Sequence, residues 1–568
     1  MYTEFEIREL RLTIPRHRQM VESFLAANGL RIDNVDYYAG VFSIDGDELL
    51  AGGGLAGNVI KCIAVSSDLR DEGLSNRLIS HLISVAHDRG YQNIKVFTKP
   101  SNRSIFESLS FRLLAEAPQA IFMETGARGI EDYCRYLQSL REDGENGVIV
   151  MNANPFTIGH RFLVEQASLR VAHLYVIAVK EEASLFSYQE RLAMIKQGCA
   201  DLKNVIVCEG SDYAISAATF PTYFLKELSA ASETQMRLDL DLFRRHIAPA
   251  LNASVRFVGS EPTDVLTCRY NELMQEMLSR VETIDRKSIK GKPISATDVR
   301  KALSEGSLHN VLSWVPVTTV PYLVVQLAIR ALTLELDTTP KPGLVDLHDN
   351  GSHRDMNYDL MMRSIRALRP HFVEVATTPF VSLQQYVSDL QAIGIRAEKD
   401  MFVATRGVNT HKGAFFSLGI TIAAARISPS DIQTGIKEIA KLFPRAKNTH
   451  GSDAVSRYHI KGALDNAVEG FPQLFSDWLP YYQNVCKETY ALHKTLLRIM
   501  ATLDDTNIYH RTDADTALWV KRQATEVLDD FNIDKLEAMN KEFILRNISP
   551  GGCADMLALT LFIFSIKN

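Results

Sequence analysis

A short motif at residues 154–160, Asn-Pro-Phe-Thr-Ile-Gly-His, combines residue types that are suited to phosphate chemistry. Thr157 and His160 are three residues apart, so both could reach one phosphoryl group and stabilise the charge that develops during in-line displacement. The motif follows an apolar run at 147–151 that predicts a buried parallel strand, and it leads into a helical pattern at 161–167. His160 is therefore expected at a strand-to-helix turn, where backbone N–H groups and the positive helix end favour phosphate.

A second motif about 140 residues later, Ile-Ser-Ala-Thr-Asp-Val-Arg at 294–300, supplies further donors. The hydroxyls of Ser295 and Thr297 and the guanidinium of Arg300 would clamp a departing pyrophosphate. Together the two motifs provide what an enzyme needs to hold ATP and to cleave it between the α- and β-phosphates.

In this order and spacing, the motifs resemble the (H/T)xGH and ISSTxVR signatures of a nucleotidyltransferase superfamily. Within it, the chain is similar to the citrate (pro-3S)-lyase ligases. The stretches that carry this similarity are residues 154–166, 186–191, 238–241, 247–250 and 259–262. Thr157 stands where the wider superfamily has its first histidine, and Ala296 replaces the second serine of the other signature.

The resemblance implies a fold and a set of site residues. We expect a Rossmann-like α/β nucleotidyltransferase domain at residues 143–315, behind an N-terminal acetyltransferase-like domain. Thr157 and His160 are the implied catalytic residues. The implied ATP-binding residues are Asn154, Gly159, Ser295, Thr297 and Arg300.

The N-terminal part, residues 1–127, alternates predicted strands with one amphipathic helix. The strands are predicted at 35–44, 49–57 and 59–65, and the helix at 74–89. The turn before this helix, with Arg70, Gly73 and Ser75, resembles the pyrophosphate-binding turn of the GNAT acyltransferases. That resemblance implies that these three residues bind the diphosphate of a coenzyme A-type thiol arm, and that the domain holds the thiol or assists acetyl transfer. A plain βα turn is the alternative for the six residues taken alone.

The C-terminal part, residues 322–568, is predicted to be all-helical. Pro340, Pro342 and Gly343 end its first helix, because two prolines and a glycine forbid continuation. Polar clusters recur at the predicted helix boundaries, near 346–355, 409–413, 450–451, 504–511 and 549–555. Five such clusters favour one convergent site, in which carboxylates hold Mg²⁺ on a triphosphate and other side chains transfer protons. Solvated loops are the alternative for any single cluster.

These clusters resemble triphosphoribosyl-dephospho-CoA synthase, an all-helical enzyme that prepares the prosthetic group of citrate lyase. The resemblance implies displacement of adenine from C1 of the ATP ribose by a hydroxyl of dephospho-CoA, through an oxocarbenium-like transition state. One stretch departs from the family, since Leu-Asp-Asn stands at 464–466 where relatives tend to have Arg-Gly-Glu.

We assign roles to the polar residues of this part as implied by that resemblance. The catalytic residues are predicted to be His353, Asp355, His411 and Lys412. Arg511 is predicted to bind ATP. The metal ligands are predicted to be Asp346, Asp504, Asp505 and Asp555.

Length and composition set further bounds. The length of 568 residues predicts about three domains. The net charge of −6 predicts that neither nucleic acid nor an anionic membrane is a partner. Seven cysteines without a CxxC pair predict no zinc site and no disulfide framework, as in the cytoplasm. The N-terminus lacks a signal pattern, and the apolar stretch at 556–566 is too short to span a bilayer, which predicts a buried terminal helix.

We therefore expect a bifunctional cytoplasmic enzyme that serves citrate lyase. One activity would join acetate to the prosthetic-group thiol of the acyl-carrier subunit, using ATP with Mg²⁺, and the other would make the precursor of that group from ATP and dephospho-CoA. No tightly bound organic cofactor is expected. A nucleotidyltransferase acting on a phosphorylated small molecule, a ligase with an inactive docking domain, and a related carrier such as that of malonate decarboxylase remain alternatives.

Overall fold

The computed structural model describes residues 5–44, 46–69, 73–181, 184–215, 228–261, 264–444 and 455–567. The chain forms two compact units, Met1–Ile294 and Ser295–Asn568.

The first unit begins with a mixed seven-stranded sheet in the order β1-β2-β3-β4-β5-β7-β6. Its elements are β1 (Phe5–Glu9), α1 (Pro15–Ala27), β2 (Tyr37–Ser43), β3 (Leu49–Ala56), β4 (Val59–Val65), α2 (Leu74–Asp88), β5 (Asn93–Thr98), α3 (Arg103–Ser108), β6 (Arg112–Ala117) and β7 (Ala120–Gly126). The three predicted strands and the predicted helix are confirmed to within two residues at each end. The helix α2 packs its apolar stripe, Leu74, Leu78 and Leu82, into the core because i, i+4 spacing places these side chains on one face.

The strands β4 and β5 are the only parallel pair in this sheet among the described residues. They pair only at Val59 with Lys95 and at Ile60 with Val96, near the start of β4. The later residues of the two strands therefore form no ladder pairs with each other. The helix α2 lies between β4 and β5 in the sequence.

A second sheet has five parallel strands in the order β10-β9-β8-β11-β12. Its elements are α4 (Ile130–Ser139), β8 (Asn146–Met151), α5 (Ile158–Ser168), β9 (His173–Ala178), α6 (Tyr188–Gly198), β10 (Val205–Cys208), α7 (Leu228–Leu242), α8 (Ala248–Leu251), β11 (Ala253–Gly259), α9 (Val265–Met277) and β12 (Val281–Ile284), followed by the short hairpin β13 (Ser288–Ile289) and β14 (Lys292–Pro293). The predicted buried strand is the central strand β8. Strand order reverses beside β8, and ligands of open parallel sheets bind at the carboxyl ends of strands at such a point.

The two sheets are tied together inside the first unit. Asp241 of α7 accepts a hydrogen bond from the Glu116 backbone N–H of β6 at 2.9 Å. The Tyr213 hydroxyl, which follows β10, donates to the buried carboxylate of Glu124 on β7 at 2.6 Å. The mixed sheet is therefore hydrogen-bonded to elements of the parallel-sheet region and is not joined to it by the linker alone.

The second unit is helical. Its helices are α10 (Ala296–Glu305), α11 (Val320–Asp337), α12 (Tyr358–Thr377), α13 (Leu383–Thr405), α14 (Lys412–Ile427), α15 (Ile432–Lys441), α16 (Ala463–Val468), α17 (Leu479–Val485), α18 (Ala491–Thr502), α19 (Thr506–Arg511), α20 (Ala514–Asp529), α21 (Ile533–Leu545) and α22 (Gly551–Lys567). The terminal helix α22 is buried from Met556 to Ile563, as predicted. In the described part of the chain, no helix is long and apolar enough to cross a membrane.

Candidate active sites

Thr157 and His160 form a reciprocal cap at the start of α5. The Thr157 hydroxyl accepts from the His160 backbone N–H at 3.3 Å, and the Thr157 backbone N–H donates to His160 Nδ1 at 3.0 Å. Because the motif follows the central strand β8, this cap lies at the carboxyl edge of the sheet. The structure thus brings the two predicted catalytic residues of the first motif together.

The cap also fixes the protonation of the His160 ring. Since Nδ1 accepts a hydrogen bond, the proton of the neutral imidazole is on Nε2, which is then a donor for an anion. Burial, and then the positive charge of Arg286, lower the pKa of His160 to about 4. The ring is thus a neutral hydrogen-bond donor near pH 7.

Gly159 and Asn154 flank this pair. A Cβ at Gly159 would meet only ordinary neighbours, Thr157 Oγ1 at 3.4 Å and Ile294 at 3.6 Å, so the protein itself does not require a glycine there. The Asn154 side-chain carbonyl accepts from the Phe186 backbone N–H at 3.3 Å, which ties the motif to the loop before α6. Both residues stay candidates for ATP binding.

Arg191 is a residue of this site to which the sequence assigned no role. Its fully buried guanidinium donates to the backbone carbonyls of Asn152 and Val179, both at 2.9 Å, and to that of Phe186 at 3.1 Å. It therefore joins the segments that leave β8 and β9 at the edge where the cap lies. The sequence contained one signal for Arg191, its place in the stretch 186–191 that resembles the ligases. Its structural role could not be predicted, because that role depends on burial.

Ser295, Thr297 and Arg300 lie together at the start of α10, in the second unit. Ser295 caps the helix, because its hydroxyl accepts from the Thr297 backbone N–H at 3.1 Å. Arg300 donates to the Thr297 hydroxyl at 2.9 Å. The three predicted donors are thus clustered with one another, and their pairing with Thr157 and His160 stays a prediction.

The predicted coenzyme-binding turn is described in part. Arg70 lies outside the described residues. Gly73 precedes α2 with a φ of 71°, a left-handed conformation that favours glycine, and Ser75 lies in the first turn of that helix. Binding of a diphosphate at Gly73 and Ser75 stays a prediction.

The helical unit contains a cavity of about 1590 Å³. This exceeds the roughly 300–1,000 Å³ of pockets for single drug-sized ligands, so there is room for two substrates. Eight of the nine predicted residues of this part line it: His353, Asp355, His411, Lys412, Asp504, Asp505, Arg511 and Asp555. Leu464, Asp465 and Asn466, which depart from the family, line it as well.

His353 and Arg511 form one side of this cavity. His353 Nε2 lies 2.8 Å from the Ser549 hydroxyl, and its Nδ1 lies 3.9 Å from the carboxylate of Asp355. Arg511 donates to the Ser352 carbonyl at 2.7 Å and holds Nη1 at 3.5 Å from His353 Nδ1. Burial, and then Arg511, lower the pKa of His353. This histidine is therefore uncharged and positioned beside an exposed carboxylate.

His411 and Lys412 adjoin the start of α14. His411 Nδ1 lies 2.9 Å from the Ser364 hydroxyl, while its buried Nε2 has no hydrogen-bond partner among the described residues. Burial, and then the charge of Lys341, lower the pKa of His411 to about 4. Lys412 pairs with Glu398 at 2.6 Å, so this ammonium is already balanced by one carboxylate.

Asp505 and Asp555 pack against the first turns of two long helices. Asp505 caps α19 and also accepts a hydrogen bond from the Cys553 backbone N–H of α22 at 2.8 Å. A Cβ at Gly552 would lie 2.9 Å from Asp505 Oδ1 and would obstruct this contact. Asp555 lies so close to Gly413 of α14 that a Cβ there would collide with its Oδ2. Burial, followed by the charges of Asp505 and Glu335, holds the pKa of Asp555 well above its usual range. Gly552 and Gly413 thus each leave room for a carboxylate beside the start of a helix.

Asp346 and Asp504 have other partners. Asp346 does not line the cavity, and its carboxylate accepts from the backbone N–H groups of Lys341, His348 and Asp349 at 2.8 to 3.0 Å. Asp504 accepts from Lys521 Nζ at 2.7 Å. Across the described residues, no group of three or more histidine, cysteine or acidic side chains is arranged to hold a metal ion. A cation at Asp346 would compete with these three N–H groups, and metal binding there stays a prediction.

A buried ion pair in the cavity was not predicted. Lys341 and Glu335 form a salt bridge, and both are almost fully buried among the lining residues. Lys341 is in the Pro-Lys-Pro-Gly stretch, which the sequence indicated as a helix stop and as part of the family resemblance, with no site role for the lysine. The pair places one cation beside Glu335, and the charges of Glu335 and Asp505 both act on Asp555.

A parallel α/β sheet with a helix-start histidine at its carboxyl edge is an arrangement of enzymes that bind phosphorylated nucleotides. Residues 146–323 match the family described as citrate lyase ligase C-terminal domain, and residues 321–568 match ATP:dephospho-CoA triphosphoribosyl transferase. The citrate lyase ligase of Haemophilus influenzae is 40% identical over 54% of this chain and 94% of its own length. A protein of Salmonella gallinarum, named "Probable 2-(5''-triphosphoribosyl)-3'-dephosphocoenzyme-A synthase", is 34% identical over 42% of this chain and 88% of its own.

The chain belongs to the citrate lyase ligase family through its first part and to the triphosphoribosyl-dephospho-CoA synthase family through its helical part. Among solved structures, nicotinic acid mononucleotide adenylyltransferase of Plasmodium falciparum aligns with 32% of this chain and 95% of its own, at 15% identity and a TM-score of 0.21.

Proposed function

We propose that the chain is a bifunctional enzyme of citrate lyase maturation, with one activity in each family part. The first joins acetate to the prosthetic-group thiol of the acyl-carrier subunit, with ATP converted to AMP and pyrophosphate. The second makes 2'-(5''-triphosphoribosyl)-3'-dephospho-CoA from ATP and dephospho-CoA, with release of adenine. The main support is that the motif residues of each family part lie close together. Thr157 and His160 form one reciprocal cap in the ligase part, and the polar motif residues of the helical part line one cavity.

In the first reaction, an acetate oxygen attacks the α-phosphorus of ATP, and the bond to the bridging oxygen of pyrophosphate breaks. Acetate is already ionised near pH 7, so this step depends on positioning and charge stabilisation more than on proton transfer. His160 Nε2–H and the α5 start would donate to the phosphoryl oxygens, and Ser295, Thr297 and Arg300 would bind the pyrophosphate. The thiol then attacks the acetyl carbonyl, AMP leaves, and the thiol proton passes to water.

A Rossmann-like nucleotidyltransferase fold for the parallel sheet and a GNAT-like fold for the N-terminal sheet are part of this proposal. The five parallel strands with the order reversal beside β8 support the first. The incomplete pairing of β4 with β5, ahead of the Gly73 turn, supports the second, because it leaves an opening where a thiol arm could bind.

In the second reaction, a hydroxyl oxygen of dephospho-CoA attacks C1 of the ATP ribose, the C1–N bond to adenine breaks, and the departing ring nitrogen takes up a proton from water. His353 and His411 are the candidate acceptors of the hydroxyl proton, because burial keeps both neutral. Asp355, which is exposed within the cavity lining, would stabilise positive charge on the ribose. Arg511 and Lys412 would contact the triphosphate.

Magnesium fits the acidic side chains of the cavity only in part. Mg²⁺ usually takes one or two carboxylates together with substrate phosphates. Asp555 accepts no hydrogen bond from another described residue, whereas both oxygens of Asp505 are already in use. We therefore propose that Asp555, with Asp504, would hold the ion, which when bound neutralises phosphate charge.

We further propose a cytoplasmic location, because all seven cysteines are free thiols. ATP, acetate, dephospho-CoA and the acyl-carrier subunit are the proposed partners.

Chromatography of nucleotides tests both activities in one preparation. With ATP, Mg²⁺ and dephospho-CoA, we expect free adenine and a triphosphoribosylated product. With ATP, Mg²⁺, acetate and the thiol form of the carrier, we expect AMP and pyrophosphate. Absence of adenine would refute the second activity and leave a ligase joined to a helical domain. Formation of a dinucleotide-like product from a phosphorylated small molecule, without use of acetate, would refute the first.

A further inference from the structure

The C-terminal end of α10 is packed against two helices of the helical unit. Arg330 of α11 donates from Nε to the Ser304 carbonyl at 2.8 Å. The Leu308 backbone N–H donates to the Ser565 carbonyl of α22 at 3.2 Å. Gly306, with a φ of 76°, ends the helix, and a Cβ there would lie 2.8 Å from Arg330 Nη1 and 2.9 Å from Ser565 Oγ. The approach of both helices thus depends on a glycine at this position.

By sequence, however, α10 belongs to the ligase part. The ligase family match extends to residue 323 and includes the whole helix. The alignment with the Haemophilus influenzae ligase covers 94% of that protein and 54% of this chain. The small part of the ligase outside the alignment is too short to form a counterpart of the helical unit. In this chain, a helix of one enzyme is therefore held by residues of the other.

The contact of Arg330 suits the end of a helix. The last carbonyls of a helix lack intrahelical partners and carry the negative end of its dipole, so a guanidinium there both donates a hydrogen bond and balances charge. A helix of ten residues is about 15 Å long. Fixing its C-terminal end therefore restricts the direction in which its first turn presents Ser295, Thr297 and Arg300.

We propose that Arg330 is a positioning residue for the adenylating reaction, which it serves from the helical unit by holding α10. This inference rests on the proposed ligase function and on the pyrophosphate role of the α10 donors. Burial lowers the pKa of Arg330, in agreement with a partly enclosed guanidinium at the helix end.

Acetate-dependent exchange of labelled pyrophosphate into ATP, measured on the full chain, tests the proposal. For Arg330→Ala we expect the KM for pyrophosphate to rise about tenfold, the size of one lost charge-assisted hydrogen bond, with kcat within about twofold. Adenine release from ATP and dephospho-CoA should be unchanged. Arg330→Lys keeps the positive charge but not the Nε donor, so an intermediate KM is expected. If the alanine variant does not fold, the KM for pyrophosphate of the lysine variant tests the proposal.

Arg426→Ala is the matched control. Arg426 donates to the Ala376 carbonyl at 2.5 Å, so it makes the same type of contact at the end of α12. Its loss should leave the KM for pyrophosphate unchanged. Equal KM values for the Arg330 and Arg426 variants would overturn the inference, and so would a parallel loss of exchange and adenine release in Arg330→Ala. No exchange in the unaltered protein would refute the ligase function, and the inference with it.

Discussion

Thr157 and His160 hold each other at the start of α5, because the backbone N–H of each donates to the side chain of the other. A capping box usually has Glu or Gln in the third helical position, where the side chain returns to the capping residue. Histidine in that position satisfies the same donor and still offers Nε2–H to a ligand. One residue thus stabilises the helix start and keeps an Nε2–H donor, which we propose binds phosphate.

His160→Ala should abolish adenylation while leaving adenine release intact. The variant loses the Nε2–H donor, and loss of one such donor costs about 100-fold or more in kcat. The measurement is acetate-dependent AMP formation beside adenine release in the same preparation. His173→Ala serves as control, because His173 begins β9 at the opposite edge of the sheet. A comparable loss of both activities would contradict independent sites.

Gly159→Ala should fold normally and yet bind ATP poorly. A Cβ there meets no protein atom closer than 3.4 Å, so the fold tolerates it, and alanine suits a helix interior. If the nucleotide approaches this backbone closely, the methyl group occupies its space, and the KM for ATP should rise at least tenfold with an unchanged melting temperature. A normal KM would place the nucleotide elsewhere.

Gly413→Ala should impair adenine release, because the new methyl group collides with Asp555 and displaces its carboxylate. Gly419→Ala is the matched control on the same helix: Gly419 also lines the cavity, but a Cβ there meets no atom within 4 Å and does not touch Asp555. It should be neutral or stabilising by up to about 1 kcal/mol. Rates of adenine formation and melting temperatures of both variants check this. Equal rates for the two variants would exclude a role for Asp555 at this position.

The sequence predicted the strands, the turn and the order of the helical clusters because these depend on local pattern. It could not show that Asp346 binds three backbone N–H groups or that Arg191 is fully buried, since both facts depend on residues brought together by folding. For the same reason, the Lys341–Glu335 pair was missed. The two residues are only six positions apart, but burial in the cavity is what distinguishes them from a surface pair.

His411 should make the stability of the helical unit depend on pH between about 4 and 6.5. Its folded pKa of about 4 lies below the unfolded value near 6.5, so the unfolded chain binds more protons in this range. Stability contributed by the neutral ring is therefore full above pH 6.5 and is lost as the pH falls towards 4, by up to about 3 kcal/mol. Urea unfolding followed by the helical signal at several pH values measures it. His411→Gln should lower stability near pH 7 and flatten the slope by about one proton, whereas an unchanged slope would show that other groups set the pH dependence.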